Sequence, residues 1–107
     1  MARPEECGLD LVALGGVDRL IHEPARLQIV CLLSVLEEAD FLFVLQQTGQ
    51  TRGNLSSHIA KLETAGYVDV NKAFVGKIPR TVYRLTASGK KAFNTYKQRL
   101  MTVLGEL

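Results

Sequence analysis

The chain has 107 residues, 47% apolar and 22% charged, with nine glycines and three prolines. That length suits one domain with its own core, and so ordinary a composition excludes disordered, collagen-like and disulfide-scaffold chains. The net charge of +2 conceals a split: residues 1–50 hold three arginines against eight acids, a net of −5, while residues 51–91 hold eight cations against two acids, a net of +6. A face suited to a polyanion is the expectation, with an unevenly charged solvated surface as the plainer alternative. Cys7 and Cys31 are the only cysteines. Cys31 lies in an apolar run and reads as a small core residue; no structural disulfide is expected, and a reducing, cytoplasmic setting fits. No basic leader precedes an apolar stretch, and the run from Ile29 to Leu36 is too short to cross a bilayer, so no membrane partner is expected.

Residues 1–8 read as a flexible tail. Leu9–Leu14 can form a short helix that Gly15 and Gly16 end, and Val17–His22 adds about one and a half turns. Pro24 suits the first position of a new helix, where its missing N–H leaves nothing unpaired. That helix is expected to reach Glu37. Its apolar residues Leu27, Ile29, Val30, Cys31, Leu32, Leu33, Val35 and Leu36 cover most of its circumference, which predicts a central helix buried by neighbours.

Phe41–Leu45 is an apolar run that fits either a buried strand or a helix. Asp40 as an N-cap and Gly49 as a stop decide for a short helix, preceded by one or two strand-like residues. Thr51 caps the next helix, 52–65, where Leu55, Ile59 and Leu62 recur at the i, i+4, i+7 spacing of one face, and Gly66 follows as its C′ residue. The two helices are close enough to form a tight helix-turn-helix. Tyr67–Val70 and Thr81–Leu85 alternate as strands do. Gly76 and Pro79 mark a loop between them, which predicts a hairpin with a long basic tip. Thr86 caps a last helix, 87–104, striped by Phe93, Tyr96, Leu100, Val103 and Leu104. The sum is a mainly α single domain over residues 9–107 with a small β-hairpin, in the order α-α-α-α-β-β-α of a winged helix-turn-helix.

Opposite the apolar stripe of helix 52–65, and after Thr51 at its start, lie Arg52, Gly53, Asn54, Ser56, Ser57, His58 and Lys61; Glu63, near the far end, is its sole acid. Reading the major groove requires short or forked donors and acceptors near the N-terminus of the entering helix, and Ser hydroxyls with free backbone N–H groups suit phosphates. The alternative is a solvent face, which is usually built from Glu and Lys. The hairpin tip adds Lys72, Lys77 and Arg80, suited to phosphates or the minor groove, or else to keeping a strand edge soluble. Val75 and Ile78 share that loop, and the sequence leaves open whether they pack beneath it or face outward. His22 and His58 form no ligand spacing with Cys31 or the acids, so neither metal nor cofactor is expected. With no Gly-rich phosphate loop, no Gly-x-Ser-x-Gly and no paired carboxylates, nothing supports catalysis. The last stripe can serve the core or a second copy. A homodimer would set two reading helices at half-sites roughly 34–36 Å apart, with Leu9–Leu14 joining the interface.

Taken together, IHEPARLQIVCLL at 21–33 and the run from Phe41 to Phe93 resemble the small winged-helix transcriptional regulators of bacteria and archaea, single-domain relatives of the MarR and ArsR groups. Gly-Asn-Leu-Ser-x-His at 53–58, Leu-Glu-x-Ala-Gly-Tyr-Val at 62–68 and Pro-Arg-Thr-x-Tyr-x-Leu-Thr-x-x-Gly at 79–89 carry the likeness. The resemblance implies a homodimer that binds double-stranded DNA, with Asn54, Ser56, Ser57, His58 and Lys61 on the recognition helix and Lys77 to Arg80 in the wing. The metal-binding cysteine motif of the ArsR sensors is absent, and no small-molecule effector is assigned. The competing reading is a winged-helix protein-interaction module without sequence-specific DNA binding, because fold does not fix function.

Overall fold

The computed structural model describes residues 7–107; the tail expected over 1–8 falls outside that range up to residue 6. The element order is α1 (Leu11–Gly15), α2 (Pro24–Val35), β1 (Ala39–Asp40), α3 (Phe41–Thr48), α4 (Arg52–Thr64), β2 (Val68–Val75), β3 (Ile78–Leu85) and α5 (Ala87–Leu104). This is the expected winged-helix order, and the strand-like residues expected before α3 form β1.

Caps set most of these boundaries. The Asp10 carboxylate accepts from Ala13 N–H and starts α1 two residues later than expected. Val17–His22 is a turn rather than a helix. The Asp18 carboxylate takes the N–H groups of Leu20 and Ile21, a cap that starts a turn, and the turn ends before Pro24, where Glu23 is extended and caps α2. The turn drives Val17 and Ile21 into a small cluster with Tyr96. Glu23 caps α2, accepting from Arg26 N–H at 2.8 Å; that bond holds its carboxyl below the ordinary range. Asp40 caps α3, and Gly49, at φ 66°, ends it in the left-handed region.

Helix α2 departs from expectation in two ways. It ends at Val35, with Leu36 already extended, and it is covered on one side only. Ile29, Val30 and Leu33 are buried, whereas Cys31 is exposed and Val35 is 78% exposed. Residues 29, 30 and 33 fall within about 100° of one another around the helix, and that arc meets α3, α4 and β3. Cys31 lies beyond it, so it is not a core residue.

The sheet order is β1-β3-β2, with Ala39 opposite Tyr83 and Asp40 opposite Val82. Strands β2 and β3 pair from Val68↔Leu85 to Val75↔Ile78, leaving only Gly76 and Lys77 in the turn. The expected long loop is therefore a tight hairpin. Gly76 has φ 64°, which is the glycine-first arrangement of a II′ turn, whose twist matches the flanking strands. Pro79 sits inside β3, opposite Phe74. The pair that closes a two-residue turn exchanges both hydrogen bonds, so the next pair does not. The missing N–H of Pro79 thus faces away from β2, and β1 does not extend that far to need it.

The main core joins α2, α3, α4 and the base of the hairpin, with Leu55, Ile59, Leu62, Val68, Tyr83 and Leu85 among its members. Helix α5 leaves the hairpin base at a close crossing. Thr86 Oγ1 accepts from Gly89 N–H and donates to Gly66 C=O. A Cβ on Gly89 would stand 2.2 Å from the Tyr67 carbonyl oxygen, so only glycine fits there.

Candidate nucleic-acid interface

Helix α4 is divided lengthwise. Thr51 Oγ1 accepts from Asn54 N–H at 3.2 Å and fixes its start. Leu55 and Leu62 are fully buried and Ile59 is 4% exposed, each stabilising the domain by roughly 1.5–3 kcal/mol. The other side is open: Arg52, Gly53, Asn54, Ser56, Ser57, Ala60 and Lys61 are all exposed. The Arg52 guanidinium stands 5.5 Å from the centroid of the Phe41 ring, a cation–π contact that ties it to the start of α3. Lys61 lies in the last turn, where a cation suits the helix dipole.

His58 differs from its neighbours. Its side chain is 19% exposed and turned toward α2, with Nδ1 3.1 Å from a nitrogen of the Arg26 guanidinium. Arg26 can only donate, so Nδ1 is the acceptor in that contact. The Glu23 carboxylate lies 3.8 Å from the same nitrogen. His58 ties α4 to the start of α2, and only its outer edge remains for a ligand.

The hairpin stands beside α4. A cleft of about 410 Å³ runs between them, lined by Phe41, Ser56, Ala60, Glu63, Lys72 and Thr81 among others. Lys72 and Lys77 are exposed. Arg80 is exposed too, but its Nε lies 3.5 Å from the Asp40 carboxylate, the same group that caps α3. Arg84 makes a similar bridge to Glu38 at 3.1 Å. Both pairs are open to solvent and worth little in stability; they hold the hairpin in line with the start of α3. Every residue from Asn71 to Arg80 is exposed, including Phe74, Val75 and Ile78 at 73%, 59% and 70%. This settles the position of Val75 and Ile78, and adds Phe74. Alternation at Val68, Val70, Lys72 and Phe74 was the sequence signal for a longer β2; Gly76 and Pro79 masked it. Phe41 and Arg26 were missed because their partners, Arg52 and His58, lie distant in sequence.

The last helix has a mixed stripe. Tyr96 and Val103 are buried within the chain at 3% and 2%, Phe93 and Leu100 are partly covered, and Leu104 is 46% exposed. His22 Nδ1 lies 2.8 Å from the Tyr96 hydroxyl. Between the 16–18 turn and α5 lies an open cleft of about 390 Å³ lined by Asp18, Tyr67, Lys91 and Arg99. There the Tyr67 hydroxyl donates to Asp18 at 2.6 Å, and that bond, with some burial, pushes the phenol up to about 12. Among the described residues no group of His, Cys, Asp or Glu could hold a metal ion, and no helix is long and apolar enough to cross a membrane.

Comparison with known proteins matches residues 25–104 to the family model described as a winged helix DNA-binding domain. The uncharacterized protein MJ0432 of Methanocaldococcus jannaschii is 31% identical over 78 residues, covering 73% of this chain and 85% of that protein. Among solved structures, a transcriptional regulator homologue from Pyrococcus horikoshii OT3 superposes with a TM-score of 0.80 at 28% identity, covering 90% of this chain and 93% of that one. A protein from Porphyromonas gingivalis W83 assigned to the MarR family shares the fold, with a TM-score of 0.66 at 17% identity over 100% of this chain and 99% of its own.

Proposed function

The chain belongs to the winged helix DNA-binding domain family, and from that premise we propose that it is a transcriptional regulator that reads a near-palindromic duplex as a homodimer. Helix α4 enters the major groove by its N-terminal half. The wing, residues 72–80, rests on the backbone or the minor groove of the same duplex. The observation that carries this reading is the division of α4 into a sealed apolar side and an open side bearing Arg52, Asn54, Ser56, Ser57 and Lys61. Arg52 has the fork that pairs with guanine, and Asn54 the amide that pairs with adenine. The serines, the first N–H groups of α4, Lys61, Lys72 and Lys77 serve phosphates.

The dimer places a second copy against α1 and α5, which pack on each other. Leu11, Val12, Met101 and Leu104 are 57%, 88%, 58% and 46% exposed there, and apolar clusters of this kind mark interaction surfaces. Tyr96 and Val103 back that surface from inside, with Phe93 and Leu100 at its edge. A two-fold pair is the commonest closed assembly, and it presents two α4 helices to half-sites roughly 34–36 Å apart. The description of the Pyrococcus protein as a transcriptional regulator homologue supports the regulator part of this reading.

Selection of bound duplexes from a random pool, run beside a solution mass measurement, tests it. The expected result is an enriched near-palindrome and twice the chain mass. An asymmetric site with a single-chain mass refutes the dimer. No enrichment refutes base reading and leaves a protein-interaction module.

A further inference from the structure

The end of the hairpin is apolar as well as basic. Phe74, Val75 and Ile78 are the exposed large apolar residues of this region, and all are more than half exposed. Single exposed apolar side chains need no explanation, but three at one hairpin tip form a patch that should be covered when the protein works.

The pairing register assigns these residues to faces. Side chains alternate along a strand and directly opposed pairs share a face. Phe74 and its partner Pro79 therefore lie on the face of Val70, Lys72, Thr81 and Tyr83. Those four residues line the cleft that faces α4. Val75 and Ile78 pair on the opposite face. The phenyl ring thus continues the side of the hairpin that flanks α4, with Lys72 two positions before it and Lys77 in the turn beyond.

We propose that the wing tip is an apolar wedge for the minor groove of duplex DNA, with Phe74, backed by Pro79, entering between base pairs while Lys72 and Lys77 hold flanking phosphates. The inference rests on the DNA-binding reading above and adds deformation to it. The minor groove of undistorted duplex is only about 6 Å wide, too narrow to take a two-stranded ribbon. A cationic side chain can enter such a groove unaided. A ribbon tip ending in Phe, Val and Ile can bury them only where the groove opens, and wedging apolar side chains into a base step opens it with a bend of about 20–90° toward the major groove. Full pairing down to a two-residue turn gives the tip the stiffness a wedge requires. The cations around the ring match the duplex backbone. Membrane docking by the same ring would press the polar residues of α4 against lipid, so nucleic acid is the favoured occupant.

The test is Phe74→Ala, a substitution at an exposed site whose melting temperature should equal that of the parent. Duplex bending is read by end-to-end energy transfer, and unstacking by a fluorescent adenine analogue placed at each step in turn. The parent chain should bend its selected duplex and unstack one step per half-site. Phe74→Ala should keep duplex binding but lose the bend and about tenfold in affinity, with the salt dependence unchanged. Lys77→Ala should do the reverse, lowering the salt slope by about one and keeping the bend. Equal bending and affinity for Phe74→Ala and the parent would overturn the wedge and leave duplex binding intact. A parent chain that binds no duplex overturns both readings. Loss of binding to anionic phospholipid vesicles in Phe74→Ala, with bending unchanged, would assign the ring to a membrane and overturn the wedge as well.

Discussion

The two ends of the hairpin share the same strands and the same alternation, and they meet opposite fates. At the base, Val68, Tyr83 and Leu85 are buried to within 4% of full cover; at the tip, Phe74 and Ile78 are at least 70% exposed. Composition does not separate them, since both ends carry aromatic and branched residues. A neighbour does: α4 and α5 close over the base, and no element of the described chain reaches the tip. Alternation assigns a side chain to a face, but only a second layer buries that face. Burial therefore places the stabilisation at the base, while the tip stays open to solvent.

Substitutions can break or sharpen that contrast. Leu85→Ala should cost about 2–5 kcal/mol in urea denaturation, whereas Phe74→Ala should stay within about 0.5 kcal/mol of the parent; comparable losses would erase the distinction between the two ends. Gly89→Ala should come next, at about 1–3 kcal/mol, because its methyl group would collide with the Tyr67 carbonyl where α5 leaves the base. A neutral result would show that this crossing is loose.

Tyr67→Phe should cost less than either of the changes at the base, about 1 kcal/mol near neutral pH, the worth of one partly exposed hydrogen bond. It should also change the alkaline limb. The Asp18 bond raises the Tyr67 phenol from 10 to about 12 in the folded chain. A raised acid favours the folded state while it stays neutral, so this contribution is whole below pH 10 and disappears between pH 10 and about 12. Tyr83 and Tyr96, also raised by burial, keep their own alkaline losses. Tyr67→Phe should accordingly show a shallower fall in stability over that interval, measured by denaturation at stepped pH; an unchanged slope would dismiss the Asp18–Tyr67 bond as its cause.

Much of the architecture was legible because local chemistry decides it. Asp40, Thr51 and Thr86 cap helices where hydroxyl or carboxylate oxygens should, and Gly49 and Gly66 take the positive φ that ends them. Leu55, Ile59 and Leu62 declared the buried side of α4 by spacing alone. What escaped depends on partners remote in sequence. Cys31 and Val35 looked like core because α2 is apolar all round, yet its cover comes from one side. Pro79 looked like loop because its tolerance in β3 depends on which pair of the ladder it occupies. His58 looked like one more outward polar residue of α4, because nothing local announces Arg26 and Glu23 beside it.

The central claim is that the open side of α4 reads bases, and Asn54→Ala measures it most directly when titrated against the selected duplex and a random one at equal salt. The account predicts a loss of about 1–3 kcal/mol on the selected site, with little change on random sequence. Equal losses on both duplexes, or none on either, would contradict it.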